Sequence, residues 1–525
     1  MKKFIIFSII LLSFCESIYS QAKDSVTKYP DIQSRELQIV QQQWLNTNNA
    51  AGLAFSLVNK GSYTSLERFV SSGDYHRAQE GSSNKALKFS TQRYDRFNDK
   101  IYVRGSFSFL MNNEGERAWS DVINTYNSNP YIYGSSVKGD YQAQKFDLNL
   151  KVYSIPSGKF NFGVTVDYHV SDISRQRDPR SRSYSLDYSI IPSVTYAVSK
   201  NSRVGVDLYY RFDKEKMPGL TTVQTDPNLK YYTFTGMESA IGRIGGYRGF
   251  SRQFVSDYIG GALQYNYENK KIKLLLSAGM DAQWQETLGD KKQTPGSYNS
   301  FNYRFLSNLL IKQNNLLHNF TLSATIKDGG ADEHRQNLIS TRDTLTGIST
   351  ETWVTIYTYK NRFVVKTSDI KASWKTYSQI ASGKGFRWSA GLFGGYSHFS
   401  NIYYLPKSEI GAGKVFGGAE GSYLLFSRNE YKLEFEGLLK AGFKTDSYML
   451  LASQNEISEN ILIPDFEYHK RNTAEIFGSL RYIFPMKFSK GAKLTGYAKV
   501  YGGNIFATDS NNWSSAGVAI GLLTF

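Results

Sequence analysis

The stretch FNFGVTVDYHV, residues 160–170, alternates apolar and polar side chains with a period of two residues. Its first face carries aromatic and aliphatic side chains, and its second face carries Asn161, Thr165, Asp167 and His169. Because successive side chains of a β-strand point to opposite faces, this period indicates a strand between an apolar environment and water. The stretch therefore predicts a sheet with one wet face and one apolar face.

The same alternation recurs along the whole chain, in runs of about 12 to 18 residues. Strands of soluble sandwiches usually have only about 5–6 residues. Long strands with one charged face are typical of outer-membrane barrels, in which that face lines a polar lumen. The predicted lumen-lining residues are Lys145, Asp147, Lys151, Asp167, Arg203, Asp207, Arg211, Lys273, Asp281, Lys432, Glu434, Glu436 and Lys440.

Connections between these runs alternate between tight turns and longer polar segments. The longer segments are residues 114–139, 174–183, 216–252, 287–297, 328–362, 400–411 and 449–466. Outer-membrane barrels have short periplasmic turns and long extracellular loops. The pattern predicts one all-β domain over residues 52–525, a transmembrane antiparallel up-and-down barrel of about 18 strands, with 14–20 compatible. An additional apolar run, Gly52–Val58, is predicted as a strand either in the wall or inside it.

Both ends of the sequence carry features of an exported protein. Residues 1–20 combine Lys2 and Lys3 with an apolar run at 4–14, which predicts a secretory signal peptide. Cys15 leaves lipidation as an alternative, although the bulky residue before it disfavours this. Residues 21–51 are predicted as an N-terminal extension with a short helix over Asp31–Leu45, in the lumen or under the barrel. The ending VAIGLLTF, residues 518–525, predicts a closing strand that barrel-assembly machinery recognises.

Composition and charge support the same class of protein. The chain has 38 Tyr, 33 Phe and 44 Gly but only 11 Pro, a balance that suits many long strands. The net charge of +16 is scattered over the sequence without a basic helix or tract. We therefore expect contact with outer-membrane lipids and anionic lipopolysaccharide, and no nucleic-acid partner.

The stretch QWLNTNNAAGL, residues 43–53, resembles the entry to the barrel in an uncharacterised family of Bacteroidota outer-membrane β-barrel proteins. The length and the aromatic last residue fit this resemblance. It implies a Gram-negative host and an accessory component encoded beside TonB-dependent transporters, in nutrient or metal uptake. A transporter of that type or a surface lipoprotein is the implied partner. The resemblance supplies no catalytic or binding residues.

Three groups of residues have side chains that could carry specific chemistry. Two arginine-rich segments could bind an anionic ligand, lipopolysaccharide phosphates or a partner protein, or simply be charged loops: Arg175, Arg177, Arg180, Arg182, Arg243, Arg248 and Arg252. Residues 328–334 cluster acidic side chains with His334, but their spacing matches no defined metal site. His169 beside Asp167 lacks an identifiable serine nucleophile.

No catalytic, cofactor or metal site is therefore predicted, and an enzyme is the least favoured reading. The expected function is that of a passive channel or an accessory component of nutrient or metal uptake. The alternative is a plugged, non-conducting scaffold or docking protein for a surface transporter complex.

Overall fold

The computed structural model describes residues 31–55, 60–156, 158–223, 230–244, 250–342, 345–380, 385–428, 430–487, 493–509 and 511–524. The predicted signal peptide, residues 1–20, lies outside the described residues. Its strands are β1 Gly61–Gly73, β2 Ser83–Asn98, β3 Ile101–Arg117, β4 Tyr133–Ser135, β5 Gly139–Ser154, β6 Phe160–Arg175, β7 Arg180–Ala197, β8 Ser202–Met217, β9 Leu220–Thr221, β10 Lys230–Gly236, β11 Ser239–Ile244, β12 Arg252–Glu268, β13 Ile272–Leu288, β14 Gly296–Gln313, β15 Leu316–Arg342, β16 Ser349–Gln379, β17 Phe386–Tyr403, β18 Ser408–Arg428, β19 Tyr431–Leu450, β20 Thr473–Lys487, β21 Lys493–Ala507 and β22 Asn512–Thr524.

Eighteen of these strands form a closed antiparallel barrel, and the predicted architecture is confirmed. Each wall strand pairs with the next wall strand along the chain, and β22 pairs with β1 from Ser62↔Thr524 to Gly73↔Trp513. The short strands β4, β10 and β11 form a separate three-stranded sheet, and β9 adds two residues beside β7. Closure leaves no wall strand with an open edge over its paired length, which a bilayer requires.

An apolar belt covers the outside of the wall. Large outward side chains such as Leu208, Leu263 and Phe162 are more than 60% exposed. Their neighbours along each strand point inward and are mostly polar. This is the arrangement of an outer-membrane β-barrel, with lipid outside and polar groups within. Within the described residues, no helix is long and apolar enough to cross a bilayer.

Connections at the two rims differ as predicted, but two predicted long segments are wrong. The strands continue into 174–183 and 400–411, which leaves only the four-residue turns 176–179 and 404–407. At one rim the strands join through tight turns such as 99–100 and 314–315, and we assign this rim to the periplasm. At the other rim lie the long connections, which are assigned to the cell exterior. Several are ordered: β4, β10 and β11 form their sheet there, and residues 451–472 include the π-helix Ser458–Leu462 and the helix α2 Ile463–Lys470.

Two predicted elements are corrected. The run Gly52–Val58 is not a strand where it is described, because Ala50–Phe55 forms a 3₁₀ helix packed inside the wall on β5, β6 and β7. The segment 328–362 is not an irregular loop, because β15 and β16 continue through most of it as a long hairpin. Cross-strand pairs of Thr, Tyr and Val support this hairpin beyond the wall.

Residues before the wall form a compact body, the plug, defined as residues 31–55. It contains the helix α1 Ile32–Gln41 and the 3₁₀ helices Gln43–Asn46 and Ala50–Phe55. The helix predicted over Asp31–Leu45 is thus present in two pieces. It lies in the lumen, at the rim of the short turns.

Candidate functional site: the barrel lumen

The predicted lumen residues all lie on the inner side of the wall, alternating with exposed apolar neighbours such as Phe146 and Leu439. Most of them have described polar partners. Lys273 pairs with Glu268, Arg211 with Asp187, Arg203 with Glu268 and Lys440 with Glu475. The lumen is therefore a network of opposite charges rather than a field of one sign.

Apolar anchors fix the plug to opposite sides of the barrel. Leu37 packs with Leu310, Leu317, Tyr377 and Phe386, from β14 to β17. On the other side, Trp44 and Leu53 pack with Tyr153 and Leu275. Ile32 contacts a third group at the end of the chain, Ile483, Tyr497, Ala519 and Leu523. Contacts distributed in this way attach the plug to several sides of the wall near the periplasmic rim.

Polar contacts also hold the plug against the wall. Arg481 Nη1 donates to Glu36 Oε1 (2.6 Å), and Arg481 Nη2 donates to Glu434 Oε2 (2.6 Å). Lys432 Nζ donates to Asp31 Oδ1 (2.7 Å). These bonds involve three of the predicted or neighbouring wall charges, so part of the lumen charge serves to hold the plug.

A second set of polar bonds uses the backbone of the plug. Lys151 Nζ donates to the carbonyl oxygen of Thr47 (3.0 Å), and Thr165 Oγ1 donates to that of Asn48 (2.8 Å). Asn49 Nδ2 donates to Gln264 Oε1 (3.0 Å), whose own amide donates to Asp207 Oδ2 (2.6 Å). The wall thus satisfies carbonyl groups that an irregular segment leaves open.

Two glycines of the wall make room for the plug. A Cβ atom on Gly163 would lie 2.5 Å from the backbone nitrogen of Ala51. On Gly205, it would lie 2.9 Å from Asn49 Nδ2 and 3.0 Å from the Trp44 ring. The atom nearest to a Cβ on Gly163 belongs to the backbone, so no change of side-chain rotamer could relieve the overlap. The wall sequence is therefore fitted to an occupied lumen.

At the exterior rim a second body, the lid, covers the lumen. We define the lid as residues 118–138, the hairpin 230–244 and residues 451–472. Tyr131, Tyr133 and Tyr231 of the lid are almost fully buried against wall residues that include Met217, Tyr298, Phe363 and Tyr403. The lid thus has its own apolar core with the upper wall.

Asp121 is the polar centre of the lid. Its carboxylate accepts hydrogen bonds from the hydroxyl groups of Tyr141 (2.5 Å) and Tyr231 (2.7 Å). Tyr141 in turn accepts a bond from Arg175 Nη1 (2.8 Å). Asp121 is 1% exposed. A buried carboxylate with two hydroxyl donors joins the lid loop, the lid sheet and the wall strand β5.

Between plug and lid lies a polar chamber. Its wall includes Asp147 and His169, whose side chains keep 47% and 40% exposure although both point inward. A cavity of about 300 Å³ opens here beside Asn48 of the plug, with Asp167, Asp187 and Arg304 around it. The chamber is therefore lined by side chains of both charge signs.

His169 was predicted beside Asp167, but its hydrogen-bond partner is Asp147. His169 Nδ1 lies 2.7 Å from Asp147 Oδ1, and Ser108 Oγ donates to the second oxygen of the same carboxylate (2.9 Å). In a serine nucleophile system the imidazole lies between the hydroxyl and the carboxylate. Here the carboxylate lies in the middle, so this arrangement does not activate Ser108.

A second cavity, the loop pocket, has a volume of about 420 Å³ and lies between the lid and the inner faces of β16 to β18. Arg77 Nε donates to Asp465 Oδ1 (2.8 Å), and its guanidinium stacks over the Tyr126 ring at 3.3 Å. His469 borders the same pair. Burial lowers the pKa of His469 to about 4, and the positive charges of Arg77 and Lys414 contribute in the same direction, against Asp465.

The arginines of the two arginine-rich segments have partners within the protein where they are described. Arg175 is buried and donates to Tyr141 and to the Val137 carbonyl. Arg180 pairs with Asp178, and Arg182 pairs with Asp172. Arg177 donates to the Lys138 carbonyl, and Arg252 is 6% exposed. The side chain of Arg243 and the whole of Arg248 lie outside the described residues.

The acidic group at 328–334 lies within β15 rather than in a loop, so its side chains alternate between two faces. Glu333 accepts a bond from Tyr403 and pairs with Arg362. Across the described part of the chain, no group of three His, Cys, Asp or Glu residues is arranged to hold a metal ion.

A family model matches residues 50–525, and the chain belongs to that family, DUF6850, a family of unknown function. The comparison with curated proteins gave no match. Among solved structures, the chain is similar to the outer membrane transporter YddB from Escherichia coli, with 8% identity over 89% of this chain and 80% of that chain and a TM-score of 0.39. The copper transporter OprC shows 10% identity over 87% and 80%, with a TM-score of 0.38. A Pseudomonas aeruginosa FadL homologue shows 10% identity over 91% and 92%, with a TM-score of 0.31. Similarity at this level says nothing about cargo.

Proposed function

We propose that this protein is a gated outer-membrane channel for passive uptake of small solutes, closed at rest by the plug. The observation that carries the proposal is the attachment of the plug to both sides of the periplasmic rim. This attachment combines a few apolar contacts with ion pairs such as Glu36–Arg481. Polar contacts exchange with water at lower cost than a continuous apolar core, which suits a segment that must be displaced.

Deletion of the plug tests this proposal. The refolded barrel is recorded in planar bilayers as the full chain, without residues 31–55, and without both 31–55 and the lid hairpin 230–244. We expect rare steps from the full chain, brief openings without the plug and sustained conductance without both bodies. Deletion of the outer hairpin tip, residues 335–359, is the matched control, because it removes a similar mass from outside the lumen. A folded double-deletion barrel without conductance would refute the channel.

A second candidate function is an accessory or docking role in a surface complex, and one observation favours it. The last wall pairs beside the long hairpin are Gly296↔Glu333 and Phe363↔Tyr403. Beyond them β15 and β16 pair only with each other, as far as Arg342↔Ser349. This ribbon of about ten residues extends roughly 33 Å and exposes Ile339, Ile356 and Tyr357. Its partner is proposed to be a TonB-dependent transporter or a surface lipoprotein of a Bacteroidota species, in nutrient or metal uptake.

Purification from native membranes separates the two roles. The docking role predicts that a transporter or lipoprotein co-purifies with the full chain and is lost on deletion of residues 335–359. Unchanged recovery on that deletion would contradict it. We further propose contact of the belt with outer-membrane lipids and lipopolysaccharide, and folding by barrel-assembly machinery. Neither catalysis nor nucleic-acid binding forms part of the proposal.

A further inference from the structure

The loop pocket combines an apolar side with a charged side. Phe234, Met237, Ile457 and Leu462 of the lid, with Phe363 of the wall, form the apolar side. The volume of about 420 Å³ falls within the range of small-molecule sites, roughly 300–1,000 Å³. Because the lid contributes to its lining, a ligand in this cavity would lie at the exterior end of the barrel.

Two of the charges in the pocket cancel each other. Arg77 and Asp465 form a two-bond ion pair. His469, whose Nε2 atom has no hydrogen-bond partner among the described residues, is a neutral polar group beside this pair. These residues can orient a ligand through hydrogen bonds, but they provide no net charge for it.

Lys414 and Asp369 are the other charged residues of the lining, and neither has an ion-pair partner within the described part of the chain. Lys414 Nζ donates only a long bond to the Tyr75 hydroxyl (3.4 Å) and lies 5.9 Å from the centre of that ring. An ammonium group held beside an aromatic ring, without a carboxylate, is available to an anionic ligand. Asp369 is correspondingly available to a cationic group.

The sheet register fixes the spacing of these two charges. Asp369 on β16 pairs with Ser397 on β17, and Ser397 pairs with Lys414 on β18. Adjacent strands are about 4.8 Å apart, so the two backbone positions are about 10 Å apart. Both side chains point inward. An extended peptide of two residues spans about 7 Å, and one of three residues about 10 Å.

From this match we infer that the loop pocket binds short peptides of two or three residues in zwitterionic form. The peptide carboxylate is bound by Lys414 and its ammonium group by Asp369. At least one apolar side chain packs against Phe234, Met237 and Phe363. The inference rests on the proposed function only in making such peptides a class of cargo, because binding itself does not require transport.

Calorimetry with the refolded full chain in detergent tests the inference, with trileucine as the probe. Amidation of the peptide carboxyl group or acetylation of its amine should each weaken binding about tenfold, since each removes one charged hydrogen bond. Lys414→Gln should weaken trileucine about tenfold and leave the affinity of the amide nearly unchanged. Asp369→Asn should likewise weaken trileucine binding about tenfold and leave the affinity of the acetylated peptide nearly unchanged. Lys371→Gln, two residues farther along β16 on the same face, is the matched charge control and should have no effect.

The opposite results are equally clear. Absence of saturable trileucine binding by a folded protein, or equal affinity for all three peptides, would overturn the inference. Octanoate binding that depends on Lys414 and not on Asp369 would also overturn it, in favour of simple amphipathic anions. Because these measurements use no membrane, a barrel that binds peptides without conducting refutes the channel alone, and a barrel that conducts without binding refutes the peptide site alone.

Discussion

Arg481 of β20 binds Glu36 of the plug and Glu434 of β19 at the same time, with 2.6 Å between nitrogen and oxygen in each pair. The Arg481 and Glu434 side chains are 8% and 1% exposed, whereas that of Glu36 is 37% exposed. Arg481 thus forms one partly exposed ion pair, with Glu36, and one buried ion pair, with Glu434. Mutations of Glu36 and of Arg481 should therefore have different effects.

Glu36→Gln should loosen the plug only slightly, because Arg481 keeps Glu434 as its partner. The expected cost is about 1 kcal/mol, smaller still at high salt. Arg481→Gln should cost about 3 kcal/mol or more, because it leaves Glu434 buried without its cation. Open probability in planar bilayers measures both effects. Arg93→Gln, which breaks an ion pair on the outer face, is the control. A larger increase in open probability for Glu36→Gln than for Arg481→Gln would contradict the arrangement.

Gly163→Ala should displace the plug from its position against β6. The added Cβ meets the backbone of Ala50 and Ala51, and the two bodies cannot both keep their positions. We expect increased conductance with the barrel intact by circular dichroism. Gly105→Ala is the matched wall substitution, because its nearest contact would be Leu150 Cδ1 at 4.0 Å. Equal conductance of the two variants would show that the plug does not occupy this seat.

Asp121→Ala should release the lid. It leaves the hydroxyl groups of Tyr141 and Tyr231 without their acceptor in a buried site, at a cost of roughly 2–4 kcal/mol. Limited proteolysis of residues 118–138 in refolded protein measures the release. Asp99→Ala, at an exposed turn of the opposite rim, should leave the cleavage rate unchanged. Resistance of the Asp121 variant equal to that of the native chain would argue against this residue as the centre of the lid.

Acidification should also loosen the lid, through His469. Its pKa in the closed lid is about 4, below the ordinary value near 6.5, so the closed form takes up the proton less readily than the released form. Stability of the closed lid is therefore complete above about pH 6.5 and falls as the pH decreases toward 4, by roughly 1–3 kcal/mol in total. Below pH 4 the loss is complete.

A nitroxide attached through Asn460→Cys, at an exposed position of the π-helix Ser458–Leu462, reports this opening as increased mobility. His469→Gln should abolish the change between pH 6.5 and 4. The groups that face His469 are Asp465, Arg77 and Lys414. A pH response that persists in the glutamine variant would assign the effect to one of them.

The wall was predictable because lipid and water act on every strand in the same way. Each inward position between two lipid-facing residues, such as Asp147 between Phe146 and Leu148, can be identified from period two alone. The two rims were predictable for a similar local reason, the unequal length of the connections. The closed barrel of 18 wall strands agrees with those features.

The contents of the lumen were not predictable in this way. The plug depends on contacts between residues more than a hundred positions apart, such as Thr47 with Lys151, and no local period reports them. The apolar run after Gly52 has the composition of a strand, yet packing against Gly163 and Trp44 gives it a helical turn. The partners of the arginines at 175–182 were not predictable either, because aspartate and carbonyl acceptors form no pattern in the sequence.

The seam between β1 and β22 has a consequence for biogenesis. The first wall strand finds its second partner only in Asn512–Thr524, the last strand of the wall. Until β22 is in place, a sheet of the other wall strands would therefore have two unpaired borders. Shortening the chain by those residues would yield an unclosed sheet prone to join with other chains, rather than a smaller barrel. Ring closure thus makes every wall strand depend on the one that is farthest along the sequence.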